Sequence, residues 1–288
     1  VQFTAVGQTK PGGDLHPGDT LQFMMPFHVD ARTSHFSRDW SIFIHLENAD
    51  GLIVWQRDVY PGQGKYATSL MNGEMLWYNR FAVSIPDHAY APQSLRVYMG
   101  MYDLHSGARM ISQGSGASSD NHMYLGTIRL IAREDSSLPG IPNPMHVNFG
   151  GEAELLGYDV SRLAVYPGQP ITVTLYWRPI HPLTTDYHVF TQILMPGTSN
   201  VVGSSDSMPD NYNLPTTTWK PGEIVKDAHT FTLHADASPD NWQLIMGLYQ
   251  LASDNSIHHL RIITPDGGQA DDTLSLTRIR VAPLPESF

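Results

Sequence analysis

The sequence predicts an all-β protein of two tandem β-sandwich domains, immunoglobulin-like or jelly-roll in type. Three observations predict it. Blocks of residues recur about 150 positions later in the same order with the same chemistry. Short runs of alternating apolar and polar residues, separated by Pro-Gly, Asn-Gly and Asp-Gly turns, fill most of the chain. Charged residues make up only 16% of it, while 24 glycines and 21 prolines suit a fold with many turns.

The repeat begins at the turn His16-Pro17-Gly18-Asp19, matched by Tyr166-Pro167-Gly168-Gln169. The next strand carries Leu21, Phe23, Met25 and Phe27 on one face, as its counterpart carries Ile171, Val173, Leu175 and Trp177. Odd-numbered apolar side chains alternating with Thr172, Thr174 and Tyr176 describe a strand with one face in a core and the other near water. Trp40, Ile42, Ile44 and Leu46 then fall on Tyr187, Val189, Thr191 and Ile193, and Asp58 on Asp206. Thr68 to Glu74 aligns with Thr217 to Glu223, which pairs Glu74 with Glu223. Met99-Gly100-Met101-Tyr102 matches Met246-Gly247-Leu248-Tyr249, so a bulge or a close backbone approach is expected at Gly100 and Gly247. Leu125 to Arg129 on Leu276 to Arg280 closes the match. Helix is expected to amount to at most a single turn over residues 84–90 and over 235–240.

A period this long means tandem domains and not a solenoid. A chain of 288 residues accommodates two, each large enough to bury a core. The expected division is a first copy over 1–132, a linker over 133–148 and a second copy over 149–288. The linker expectation rests on Pro139, Pro142 and Pro144 beside Ser136, Ser137 and Gly140, a composition that favours an extended, semi-rigid connection. The end of the chain, Pro283 to Phe288, reads as a remnant of another linker or as an end docked through Phe288. The chain starts at Val1 and not at Met, which implies a removed leader or excision from a longer protein.

With no cysteine, thiol catalysis and thiolate metal sites are excluded. A net charge of -11 without a basic cluster argues against a nucleic-acid partner. No apolar run reaches the roughly 20 residues of a membrane span, so any membrane attachment would come through a segment outside this chain.

Motifs shared by both copies are attributed to the fold. Two carboxylates are what glycoside hydrolysis requires, and Asp58 with Glu74 is the pair to nominate for it. Their recurrence instead suggests an Asp that opens a loop by accepting backbone N–H groups and a Glu that opens the next strand. Fourteen histidines include His45 with Glu47, His181 with His188, and His258-His259, none at a strong metal-ligand spacing. Asp206, Asp210, Asn211 and Asn213 form an oxygen-rich loop without the regular spacing of a calcium loop. Gly114-Ser115-Gly116 lacks the first glycine and the strand-to-helix elbow of a nucleophile motif. No catalytic residue, metal ligand or cofactor is therefore nominated.

Function is sought in what the copies do not share. Trp55, Tyr60, Tyr66, Trp77 and Tyr78 crowd one segment of the first half, against Tyr212 and Trp219 in the second. Loop-borne rings beside Asn, Gln and Asp can stack on sugar rings, or they can cover a sandwich edge or the contact between domains. These five residues are the candidate ligand-binding set.

Leu156-Gly157-Tyr158-Asp159, Tyr166-Pro167-Gly168-Gln169, Leu175-Tyr176-Trp177, Trp219-Lys220-Pro221-Gly222-Glu223, Met246-Gly247-Leu248-Tyr249 and Thr277-Arg278-Ile279-Arg280-Val281 together resemble an uncharacterised bacterial β-sandwich module. It is the extracytoplasmic domain that follows the membrane helices of predicted polytopic glycosyltransferases and occurs in other large surface proteins. The second half resembles it throughout, the first more loosely, with Asn72-Gly73-Glu74 replacing the Trp-x-Pro-Gly-Glu block. The resemblance implies an extracytoplasmic location and no catalytic residues. The expectation is a non-catalytic module of a cell-surface or membrane-anchored protein, with glycans or neighbouring surface domains as partners. A structural subunit of a surface layer, filament or adhesin is the alternative, and a carboxylate-pair glycosidase a third reading.

Overall fold

The computed structural model describes residues 3–5, 14–30, 36–195 and 197–284, without the side chains of 3–5. Val1 and the expected docking of Phe288 lie outside the described residues. The chain is all-β and divides into two compact units. The first takes the described residues to Asp87 and Ala91–Ile131; the second takes His88–Tyr90 and the residues from Ala132 onward.

The first unit contains β1 (Phe3–Ala5), β2 (Asp14–Leu15), β3 (Thr20–Val29), β4 (Trp40–Glu47), β5 (Ile53–Val59), β6 (Leu76–Ser84), β7 (Gln93–Asp103) and β8 (Met123–Leu130). They form a three-stranded sheet ordered β1-β3-β6 and a five-stranded sheet ordered β2-β8-β7-β4-β5. Among the described residues of this unit only β2 with β8 runs parallel. Alternation buries Leu21, Phe23, Met25 and Phe27 of β3, Ile42, Ile44 and Leu46 of β4, and Leu95, Val97, Met99 and Met101 of β7.

The second unit contains β9 (Pro144–Phe149), β10 (Ala153–Val160), β11 (Ala164–Val165), β12 (Pro170–Pro179), β13 (Tyr187–Leu194), β14 (Val201–Ser207), β15 (Val225–Thr232), β16 (Asp240–Leu251), β17 (Ile257–His259), β18 (Ile262–Ile263) and β19 (Leu274–Val281). Its sheets are ordered β15-β12-β10-β9-β18 and β11-β19-β16-β13-β14, with β17 on β16. β11 with β19 repeats the parallel pair of the first unit. One core joins both sheets, with Trp177, Val173 and Phe231 from one and Trp242, Val189 and Ile279 from the other.

The repeated turns are real in three dimensions. Gly18 at φ 85° and Gly168 at φ 79° follow Pro17 and Pro167, and Asp19 N–H and Gln169 N–H each donate back to the first carbonyl of the turn at 3.0 Å. Proline presets the first central residue, and glycine takes the positive φ of the second without steric cost. At Gly100 and Gly247 the expected close approach is found: the rings of Phe43 and Phe190 occupy the space that any Cβ there would need.

Two sequence readings are corrected. Thr68, buried, accepts from Trp40 N–H at 2.8 Å and donates to the Arg38 carbonyl at 3.0 Å. Thr216, also buried, accepts from Tyr187 N–H at 3.0 Å and donates to the Thr185 carbonyl at 2.8 Å. The true partner of Thr68 is thus Thr216, one residue earlier than the sequence match, because a buried hydroxyl with two backbone partners fixes the register. Glu74 at φ 74° then corresponds to Gly222 at φ 86°, and the paired glutamates do not exist. The only helical turns among the described residues are the short 3-10 turns Thr68–Leu70 and Thr216–Thr218.

Residues 133–148, expected as a linker, belong to the second unit. Leu138 is buried, and β9 pairs with β10 and β18. Pro144 fits because it sits where the β10 ladder shifts register between Leu155 and Gly157. There the Pro142 carbonyl accepts from Tyr158 N–H at 3.2 Å, and the Asn143 side chain donates to the Tyr158 carbonyl at 3.1 Å. His88–Tyr90 also join the second unit, the Tyr158 hydroxyl donating to the His88 carbonyl and the Tyr90 hydroxyl to Asp159, both at 2.8 Å.

Candidate binding face of the first unit

The five aromatic residues nominated from sequence do not form one surface. Trp77 is only 4% exposed and stacks on Phe27 with centroids 5.0 Å apart. Its neighbour Tyr78, on the other face of β6, is 57% exposed across from Pro26. Trp55 is half-buried and pairs with the core residue Leu46. Tyr60 and Tyr66 flank the loop after β5, and the Tyr66 ring rests on Gly62. Strand alternation separates adjacent positions onto opposite faces, which a window of sequence does not register. Trp77 is a core ring, and Tyr60, exposed just after β5, lies near enough to Tyr102 to add to the rise that burial gives the pKa of its hydroxyl.

The outer face of the five-stranded sheet carries the densest chemistry of the unit. With Ile42, Ile44 and Leu46 inward, β4 turns Phe43, His45 and Glu47 outward, and β7 turns Arg96, Tyr98, Gly100 and Tyr102 the same way. The ladders align His45 with Tyr98 and Tyr98 with Tyr124 of β8 in one row across three strands. His122, just before β8, packs on Tyr98 at 4.2 Å, and Tyr98 meets Tyr124 edge-on at 5.9 Å. Phe43, seated over Gly100, contacts His45 at 4.8 Å and supports the Arg109 guanidinium 4.8 Å above its ring. Arg109 also donates to the Asp120 carbonyl at 3.0 Å. Arg96 donates to the Asn48 carbonyl at 2.8 Å and lies 5.8 Å from the Tyr98 ring.

Burial, then the nearby Arg109 and His122, hold His45 down to about 4. His122 is lowered for the same first reason, with Arg109 adding to it. Both imidazoles are neutral near pH 7, so the row offers flat rings with one donor and one acceptor each. Asp58, at the edge of this face, is raised by burial and bonded by the Tyr102 hydroxyl. The second unit repeats that pair, with the Tyr249 hydroxyl donating to Asp206 at 2.8 Å. The shared aspartates therefore serve tyrosines across the sheet and not loop N–H groups.

The row itself is not repeated. In the second unit the same ladder positions read Gln192, Ile245 and Ser275, with Gln243 at the place of Arg96. Gln243 spends its side chain on Ser275 at 2.6 Å. Sequence comparison had the signal: aligning β7 with β16 by alternation sets Arg96 and Tyr98 against Gln243 and Ile245.

The other nominated clusters are otherwise engaged. His188 stacks on Tyr249 at 5.2 Å, while His258 and His259 point apart, to Ser256 and to the Tyr249 and Phe190 rings. Asp210 and Asn211 sit in a left-handed turn with Tyr212, and Asn213 donates to the Asp210 carbonyl at 2.7 Å. Among the described residues no three His, Asp or Glu side chains converge as a metal site. No protein-family model matches the chain, and no curated protein matches it.

Proposed function

We propose that the chain is a non-catalytic pair of β-sandwiches, displayed outside the cytoplasm as part of a cell-surface or membrane-anchored protein, and that its first unit contacts glycans. The observation that carries the glycan reading is the row His45–Tyr98–Tyr124 with His122. These half-exposed rings stand on one copy of a duplicated sheet and are absent from the other. Shared features maintain the fold, and this one is unshared. Flat rings with polar edges suit sugar faces, which pair apolar C–H surface with hydroxyls.

A three-stranded sheet against a five-stranded one, with a short second strand parallel to the last, supports an immunoglobulin-like arrangement over a jelly-roll. The extracytoplasmic setting is supported by the absence of cysteine, the low share of charged residues and the resemblance to the surface module. Affinity electrophoresis through a panel of embedded polysaccharides tests the glycan reading. At least one polysaccharide should retard the wild-type chain, and Tyr98→Ala should abolish that retardation with unchanged far-UV circular dichroism. No retardation by any polysaccharide would end it.

A further inference from the structure

Arg109 is not explained by the fold. The chain has 28 acidic and 17 basic residues, yet among the described residues no carboxylate lies within ion-pair distance of this exposed guanidinium. The neighbouring Arg96 differs: its terminal nitrogen donates to the Asn48 and Ala49 carbonyls and lies 3.8 Å from Glu47. Arg109 spends one nitrogen on the Asp120 carbonyl and is propped over Phe43, which Gly100 lets sink against the sheet. The planar fork of a guanidinium matches a carboxylate with two parallel bonds, and stacking on a ring orients it before the ligand arrives. Its field reaches both His45 and His122, which flank Tyr98, so the cation and the stacking row belong to one surface.

We infer that this face selects sugars bearing a carboxylate, of the uronic-acid class, with Arg109 holding the carboxylate while the Tyr98 row stacks on the sugar ring. This rests on the glycan reading above and adds the charge of the ligand to it.

The probes are polygalacturonate, neutral dextran and dextran sulfate, each embedded in native gels with the full chain. The variants are Arg109→Gln, Arg109→Lys, and Arg129→Gln, which removes an exposed cation paired with Asp14 elsewhere on the unit. Expected are retardation by polygalacturonate and not by dextran, an affinity at least about tenfold weaker in Arg109→Gln, partial retention in Arg109→Lys, and no change in Arg129→Gln. Equal retardation by dextran and polygalacturonate would overturn the carboxylate selection and leave glycan contact standing. Equal losses from Arg129→Gln and Arg109→Gln, or tighter binding of dextran sulfate, would show diffuse charge attraction and overturn it as well. No retardation by polygalacturonate would overturn the carboxylate selection, while the wider polysaccharide panel decides the glycan reading.

Discussion

Asp227 tests the most consequential difference inside the two cores. It is fully buried on β15; one oxygen accepts from Asp210 N–H at 2.8 Å, the other from His229 Nε2 at 2.9 Å and Trp177 Nε1 at 3.3 Å. His229, buried as well, places Nδ1 3.2 Å from Ser205 Oγ. Its counterpart in the first unit, Asn79, is equally buried and accepts from Gly62 N–H at 2.7 Å, but its Nδ2 has no partner. Asp227→Ala strands three buried donors at about 1–3 kcal/mol each. The long tryptophan bond counts least, which gives about 3–5 kcal/mol, the range for breaking a buried polar pair. Asn79→Ala strands one donor and deletes one already unsatisfied, for about 1 kcal/mol. With a urea slope near 2 kcal/mol/M, the affected midpoints of the full chain should fall by about 2 M and about 0.5 M respectively. Tryptophan fluorescence reads both. Equal shifts, or an Asp227→Ala shift no larger than that of exposed Asp236→Ala, would refute the account.

Two further outcomes are expected. Gly247→Ala and Gly100→Ala should each destabilise by about 1–3 kcal/mol through overpacking against Phe190 and Phe43. Gly247→Ala should cost more, since its Cβ would also meet the Asp272 carbonyl at 2.8 Å, against 3.1 Å to that of Asn121; thermal melts followed by circular dichroism rank them. His146 donates to Asp135 at 2.8 Å and Glu154 at 2.7 Å, contacts that raise its pKa, Asp135 first. Asp135 is held down to about 2 by Ser137 and then His146. A raised imidazole stabilises fully below its unfolded value near 6.5 and loses that contribution as pH rises through the folded value. His146→Ala should therefore cost up to about 1 kcal/mol at pH 5 and nothing measurable at pH 9, read from urea midpoints, as befits a half-exposed pair. An equal cost at both pH values would exclude the ionic clamp.

The loop between β14 and β15 explains why Asp227 matters. Asp210, Asn211 and Tyr212 all hold φ between 49° and 70°, where the first unit uses Gly62, Gln63 and Gly64. Left-handed backbone costs non-glycine residues roughly 1–2 kcal/mol apiece, so the second copy needs the stronger anchor. Neither the anchor nor the strain was legible in the sequence, where the loop suggested only oxygen-rich ligands. The candidate face was half legible: alternation on β7 placed Arg96, Tyr98 and Tyr102 outward, but nothing local said that His122 and Arg109 come from loops to meet them. Trp77 misled because its exposure depends on which face of β6 meets the core.

Alternation, Pro-Gly turns and the duplication determined an all-β chain of two similar halves, because strand period and turn chemistry are local properties carried by neighbouring residues. Register, the pairing of residues 144–149 into a sheet, and the assembly of the Tyr98 row were decided by tertiary structure. Each depends on partners far apart in the chain: a buried threonine bridging 28 residues, a bulge that accommodates a proline, a glycine that admits a ring from the next strand.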